Sequence, residues 1–331
     1  MKNVLVTGAN GFIGSNLCKF LNSKGYNVRA LVLKNTSLKF IEDVNLEIFY
    51  GDISDNNSIK GSCRNIDTIF HLAAIAKDWG NKDIFFKVNV NGTENLLNQA
   101  VKENVKRFIF MSSIAVHKYS GYIDADENVE KNCSKNFYYG LSKSLAENIV
   151  NDFYINKKIE TVIIRPGLFP FGPNDITSFL KLAHALESRK FLFVNSGKSL
   201  LSTAYIENLC YGLELAGLSN NASGNTYIIS DDVKITWKEL IEKFCKELSI
   251  NSNFYSIPYW LANIFAVFIE LFYKLFDLKV EPPLTRYRAL IMKNDIHFSC
   301  NKAKKELKYK PIVSLDEGIK KTVQWYKSYN K

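Results

Sequence analysis

Val4-Leu5-Val6-Thr7-Gly8-Ala9-Asn10-Gly11-Phe12-Ile13-Gly14 reads as a buried strand, a glycine-rich turn and the opening of a helix. A run of branched apolar residues suits a strand covered on both faces. Gly8 lets the turn close, Gly11 leaves backbone N–H groups open to a pyrophosphate, and Gly14 lets the helix pack on the strand. A helix start of this kind offers the positive end of its dipole, and its unpaired N–H groups, to an anion. A glycine triplet alone is weak evidence, because any tight strand–helix turn can require glycine. The strand–turn–helix setting is what gives it weight.

Outward from this stretch, β-branched apolar runs alternate with segments of helical spacing. Strands are expected at 3–7, 27–33, 46–50, 68–71, 107–111 and 161–165, and helices at 13–22, 90–103 and 140–154. Such alternation predicts a Rossmann-type, doubly wound parallel sheet with helices on both faces, an α/β fold. Beyond about Phe169 the character changes: Phe171-Gly172-Pro173 makes a turn, and helices are expected at 176–189, 206–218 and 236–248, with a strand at 225–230. The division that follows is a nucleotide-binding domain over 1–169 and a smaller substrate-binding region over 170–331. The last strands are expected to return to the first domain's sheet, so no clean linker separates the two.

Composition bounds the function. A chain of 331 residues, 47% hydrophobic and 23% charged, buries a sizeable core and has no disordered tract. The net charge of +10 is consistent with a lysine-rich solvated surface, and it would also attract a phosphorylated cofactor or acidic lipid. Nucleic acid is not an expected partner, since no zinc-finger spacing, RNA-recognition motif or aromatic-interleaved basic run is present. The six cysteines (Cys18, Cys63, Cys133, Cys210, Cys245 and Cys300) lack metal-ligand spacing and read as free thiols in a reducing compartment. His71, His117, His184 and His297 are scattered, so no metal is expected. With the first strand starting at about Asn3 and no signal peptide before it, a cytoplasmic protein is expected.

Tyr139-Gly140-Leu141-Ser142-Lys143 sets a phenol and an ammonium four residues apart on one helix face. An ordinary tyrosine, with a pKa of about 10, is a poor base at neutral pH. A nearby cation favours the phenolate and brings it toward the working range. The pair occurs often by chance; its position after the fifth strand, downstream of Ser112-Ser113, gives it meaning. Tyr138 is adjacent, but only Tyr139 stands four before Lys143.

The spacing Gly-x-x-Gly-x-x-Gly, together with Gly51-Asp52-Ile53, His71-Leu72-Ala73-Ala74, Asn89-Val90-Asn91-Gly92-Thr93 and Tyr139-x-x-x-Lys143 in that order, resembles the extended short-chain dehydrogenase/reductases over nearly the whole chain. These belong with the NAD-dependent epimerase/dehydratase proteins. The resemblance implies a catalytic set of Ser113, Tyr139 and Lys143, with Ser113 orienting the substrate oxygen, Tyr139 as acid/base and Lys143 holding the cofactor ribose. It implies cofactor contacts from Gly8, Asn10, Gly11, Phe12, Ile13, Gly14, Lys34, Asp52, Ile53, Leu72, Ala73, Ala74, Asn89, Tyr139, Lys143 and Pro166. The second strand ends Val32-Leu33-Lys34 without an acid, so Lys34 either pairs with a 2′-phosphate or is a solvated loop lysine; the reading leans to NADP over NAD. The resemblance also implies a homodimer through the helices around 90–103 and 140–154.

Three departures narrow the reaction. Ile114 and Ala115 stand where sugar-nucleotide dehydratases of the family carry Asp-Glu, and Leu201 stands where epimerases carry a diphosphate-binding arginine. The third is 259–276, Tyr-Trp-Leu-Ala-Asn-Ile-Phe-Ala-Val-Phe-Ile-Glu-Leu-Phe-Tyr-Lys-Leu-Phe, apolar but for Glu270 and Lys274. It sits where the 3β-hydroxysteroid dehydrogenase and dihydroflavonol reductase branch carries lid and membrane-contact elements. It is only just long enough to span and is interrupted by charge, so a spanning helix is not expected. It reads as a buried helix of the substrate region, or as an interfacial one with Lys274, Lys279, Arg286, Arg288 and Lys293 facing anionic lipid. The expectation is an oxidoreductase interconverting a secondary alcohol and a ketone, on a bulky hydrophobic small molecule of steroid, hopanoid or flavonol-like shape. A nucleotide-sugar 4-epimerase or 4-reductase with tightly bound NAD is the alternative.

Overall fold

A computed structural model describes residues 1–278 and 280–329. Its centre is a seven-stranded sheet in the order Asn225–Ile229, Glu160–Pro166, Arg107–Met111, Thr68–His71, Asn3–Thr7, Asn27–Val32 and Glu47–Tyr50. All neighbouring pairs run parallel. The winding reverses between the first strand, Asn3–Thr7, and the fourth, Thr68–His71. In open sheets of this kind ligands bind beyond the carboxyl ends of the strands at that reversal.

The first strand shows why the sheet is buried on both faces. Val4 and Val6 enter one core, with Leu17, Leu21 and Leu213, while Leu5 enters the other, with Leu96, Leu97 and Phe108. Each such side chain, fully buried, contributes about 1.5–3 kcal/mol of transfer free energy. Helices Phe12–Ser23 and Ile206–Leu218 cover the first face, and Gly92–Lys102 and Tyr138–Ile155 the second.

Two expected helices differ from the structure. The helix expected at 90–103 is Gly92–Lys102, preceded by a π-helical turn, Phe86–Asn91, and a short helix, Lys82–Phe85. The helix expected at 176–189 begins only at Phe179. The Asp175 carboxylate accepts from the N–H groups of Thr177, Ser178 and Phe179 at 3.1, 2.8 and 2.9 Å, holding residues 176–178 in a turn.

The chain crosses the 169/170 division in both directions. Asn225–Ile229 completes the large sheet, while Tyr122–Ala125 pairs with Ile296–Phe298 in a second sheet of four strands. The apolar stretch is a helix, Tyr259–Leu275, packed on the helix Arg286–Lys293. No helix among the described residues is long and apolar enough to cross a membrane.

Candidate active site

The glycine turn is held closed by geometry that excludes side chains. Gly8 has φ +64°, its N–H donates to the Leu31 carbonyl at 3.1 Å, and a Cβ there would lie 2.9 Å from Ala73 Cα. At Gly14 a Cβ would come 2.1 Å from the Gly8 oxygen. The constraint on Gly14 is therefore the turn itself, and not the strand behind it. The helix that follows, Phe12–Ser23, has no side-chain cap and no acid in its first turn. Its N-terminal N–H groups are left for an external anion.

A tightly bonded loop lies beside this turn. Thr7 Oγ1 accepts from the N–H groups of Leu72 and Ala73 at 3.1 and 3.0 Å and meets His71 Nδ1 at 2.8 Å. Thr93 spends its proton on the Asn89 carbonyl at 2.7 Å, so His71 Nε2, 3.0 Å away, must be the donor to Thr93. His71 is thus a neutral Nε2–H imidazole, and burial, aided by the Lys143 charge, pushes its pKa down to about 3. Asn89 is also fully engaged, accepting from Ile75 N–H at 2.8 Å and donating to the Ile75 carbonyl at 3.1 Å and to Ser142 Oγ at 2.9 Å. Its amide clamps the loop after the fourth strand to the helix that carries Tyr139.

The serines at the end of the fifth strand separate by environment. Ser112 is buried and donates to Glu147 Oε1 at 2.6 Å. Ser113 is partly exposed, accepts from Ala115 N–H at 3.1 Å, and lies beside the Tyr139 phenol. Lys143 donates to the Met111 carbonyl at 2.7 Å, with its ammonium 4.6 Å over the Phe110 ring. The structure thus brings Ser113, Tyr139 and Lys143 to the carboxyl edge of the sheet, beside His71–Ala74 and the glycine turn.

Electrostatics depart from the expectation that Lys143 draws the tyrosine down. Burial holds the Tyr139 phenol above its ordinary range, opposed only by the neighbouring Ser113 hydroxyl. Burial also pushes Lys143 down to about 7, opposed by the Glu147 carboxylate. The lysine ammonium is engaged by the Met111 carbonyl and does not draw the phenol down.

The remaining expected positions divide. Phe12 and Ile13 open the helix half-buried, and Pro166 ends the strand Glu160–Pro166 at the same edge. Asp52 Oδ1 caps its own turn through Ser54 N–H at 2.8 Å, and Ile53 is buried against Gly92. Asn10 does not point freely into the site, for its amide donates to Thr36 Oγ1 at 2.9 Å and the Ser37 carbonyl at 3.0 Å. It fixes the loop that carries Lys34, whose side chain is exposed.

Around Tyr139 lie groups that motif spacing did not indicate. Tyr287, from the helix Arg286–Lys293, stacks on Phe137 with centroids 4.0 Å apart and meets the Tyr119 hydroxyl at 3.1 Å. Asp78 bonds Thr285 Oγ1 at 2.7 Å and Arg288 Nη2 at 2.9 Å, fastening the loop after the fourth strand to that helix. Arg288 also reaches Glu281 at 3.2 Å, and Arg286 pairs with Glu270 at 2.7 Å. Lys274 lies 5.9 Å over Trp79 and Lys293 4.4 Å over Tyr259; Lys279 lies outside the described residues. Arg286 and Arg288 are thus each paired with a carboxylate, Glu270 and Asp78 respectively. Among the described residues no cluster of His, Cys, Asp and Glu could hold a metal ion.

Residues 5–258 match the 3-beta hydroxysteroid dehydrogenase/isomerase family. The chain belongs to that family. It is 28% identical to the mouse sterol-4-alpha-carboxylate 3-dehydrogenase (decarboxylating), over 100% of this chain and 92% of that one. It is 26% identical to the 2-alkyl-3-oxoalkanoate reductase of Shewanella oneidensis, over 97% of this chain and 85% of the relative. Among solved structures, the UDP-glucose 4-epimerase of Thermotoga maritima superposes with a TM-score of 0.79 at 20% identity, covering 99% of this chain and 100% of that one, a likeness of fold. This family member is an oxidoreductase of the extended short-chain type that uses a nicotinamide dinucleotide. The uncapped helix start, the Gly8–Ala73 contact and the exposed Lys34 loop fit such a cofactor.

Proposed function

We propose that the protein interconverts a secondary alcohol and a ketone on a bulky hydrophobic substrate, with Tyr139 as acid/base. The observation that carries the reading is the placement of the Ser113 hydroxyl beside the Tyr139 phenol, next to the packed rings of Phe137 and Tyr287. Tyr139 gives its proton to the substrate oxygen, or takes one from it, and Ser113 orients that oxygen. Lys143 would hold the cofactor ribose, with its charge near the phenol. The glycine turn would hold the pyrophosphate, and Lys34 would pair with a 2′-phosphate, which favours NADP. When bound, the nicotinamide supplies or accepts the hydride.

The aromatic wall and the relatives named for sterol and alkyl-oxoalkanoate substrates support an apolar substrate of steroid, hopanoid or flavonol-like shape. A nucleotide sugar is poorly served. Leu201 is fully buried in a strand, and Arg286 and Arg288, which could otherwise hold a diphosphate, are spent on Glu270 and Asp78.

The helix Tyr259–Leu275 supports peripheral contact with a membrane on the cytoplasmic side. Ala262, Ala266 and Glu270 face inward, while Trp260, Phe268, Leu271 and Leu275 are 62%, 67%, 57% and 80% exposed. Exposed apolar area of this kind marks an interaction surface. We also propose a homodimer, paired through the helices Gly92–Lys102 and Tyr138–Ile155.

The cofactor content of freshly purified protein tests the reaction. Denaturation should release little nicotinamide dinucleotide, and titration should show reversible binding, tighter for NADPH than for NADH. Near-stoichiometric release of NAD would overturn the reading in favour of an epimerase, which keeps its cofactor through both half-reactions.

A further inference from the structure

The loop that follows the strand Thr68–His71 is fastened at two places. Near its start, Leu72 and Ala73 donate to Thr7 Oγ1 beside the glycine turn, and Ile75 donates to Asn89. Farther on, the Asp78 side chain, only 8% exposed, reaches a different part of the molecule. Its Oδ2 accepts from Thr285 Oγ1 at 2.7 Å and from Arg288 Nε at 2.9 Å, and Oδ1 accepts from Arg288 Nη2 at 2.9 Å. Two parallel bonds from one guanidinium fix orientation as well as distance. Trp79 continues the seam, meeting Tyr273 of the helix Tyr259–Leu275 edge-on with centroids 6.3 Å apart.

The two residues that Asp78 holds flank Tyr287 in the sequence. Thr285 caps the helix Arg286–Lys293 by accepting from Arg288 N–H at 3.1 Å, with the same hydroxyl that donates to Asp78. The Tyr287 ring stacks on Phe137 at 4.0 Å, Phe137 meets Tyr139 edge-on at 6.0 Å, and the Tyr287 and Tyr119 hydroxyls bond at 3.1 Å. These four rings form one cluster, in which Phe137, Tyr139 and Tyr287 are only half-buried. We propose that Asp78 and Arg288 are a positioning pair: they latch the helix Arg286–Lys293 to the cofactor edge and so set Tyr287 where it selects bulky substrates beside Tyr139. The proposal rests on the oxidoreductase reading given above.

Stability alone is a poor account of the pair, because well-packed apolar residues often serve as well as a buried ion pair. Its other contacts point the same way. Arg288 Nη1 donates to the Pro282 carbonyl at 3.1 Å and Nη2 reaches Glu281 at 3.2 Å, while Lys181 donates to the Glu281 carboxylate at 2.8 Å. Those bonds hold Arg288 to the segment just before its own helix. Asp78 is what joins it to the loop that leaves the cofactor turn. The pair therefore decides how the helix bearing Tyr287 sits over the catalytic tyrosine. Misplacement by about 1 Å can cost roughly 10²-fold in rate, so a small shift of this wall is enough to matter.

The experiment compares reduction of a bulky ketone, androstanedione, with that of a small one, cyclohexanone, by the full-length protein with NADPH. In Asp78→Asn, kcat/KM should fall at least about tenfold more for androstanedione than for cyclohexanone, with NADPH affinity kept. Tyr287→Leu, which leaves the latch in place, should narrow the preference in the same way. Hydrogen–deuterium exchange adds a reading free of turnover: amides of residues 286–293 should exchange faster in Asp78→Asn and not in Tyr287→Leu. Unchanged selectivity in both variants, or amides as protected in Asp78→Asn as in wild type, would overturn the proposal. Equal losses for the two ketones with a lowered melting temperature would also overturn it and leave the pair structural. Faster exchange in Asp78→Asn of a protein whose wild type reduces neither ketone would instead uphold the latch and overturn the oxidoreductase reading.

Discussion

At the scale of single residues, neighbours of identical type take opposite parts. Tyr138 packs against Phe85, with centroids 6.4 Å apart, while Tyr139 meets Ser113. Ser112 is sealed against Glu147 while Ser113 is partly exposed. Motif spacing distinguishes these pairs because a helix repeats at four residues and a strand at two. Spacing says nothing of partners distant in sequence, which is why Tyr287, 148 positions after Tyr139 in the numbering, and the Glu147–Arg165 pair were not legible there. Tyr139→Phe should lower kcat by about 10²–10⁴-fold, the usual worth of a general acid–base group. Cofactor binding and melting temperature should stay close to wild type. A variant that keeps most of its turnover would remove Tyr139 from the mechanism.

At the scale of elements, the sequence was most legible where a period runs unbroken. The strands Asn3–Thr7, Thr68–His71 and Arg107–Met111 and the helix Ile206–Leu218 have the bounds read from their apolar patterns. The bounds moved where a side chain replaced a backbone partner, as Asp175 does ahead of Phe179. The π-helical turn Phe86–Asn91 was also hidden, since one extra residue per turn leaves no mark in a short pattern. The glycine turn is the element most open to test. Gly14→Ala sets a Cβ 2.1 Å from the Gly8 oxygen, and backbone there cannot yield without opening the turn. Overpacking of this kind costs about 1–3 kcal/mol. Calorimetry should find a lower melting temperature, and fluorescence titration should find NAD(P)H binding weakened at least about tenfold. Wild-type affinity would show that the turn is not the pyrophosphate site.

At the scale of the molecule, two buried imidazoles govern the response to acid. Burial lowers His71 to about 3 and His117 to about 4, from an ordinary 6.5. The unfolded chain therefore binds protons that the folded one refuses, and stability falls as pH drops from 6.5 toward 4. Thermal melts across that interval should show a falling midpoint, flattened in His117→Asn; a midpoint independent of pH would contradict the neutral assignment. Charge and apolar surface act at this scale too. With a net charge of +10 and the outward face of Tyr259–Leu275, the protein should co-sediment with anionic vesicles at low salt. Phe268→Glu together with Leu275→Glu should abolish this without lowering the melting temperature. Recovery of wild type in the supernatant would assign the apolar face to another partner.

The exchange of strands between the two sheets bears on how such a chain can be recombined. Asn225–Ile229 closes one flank of the cofactor sheet from far along the chain, and Tyr122–Ala125 is lent in the opposite direction. A fragment ending at residue 169 would bare the Glu160–Pro166 strand and invite association with other chains through its open flank. Cofactor and substrate halves are therefore not interchangeable cassettes. A chimera that grafts the substrate specificity of one relative onto another must exchange discontinuous pieces together, and substrate preference in this architecture is inherited with the fold's wiring.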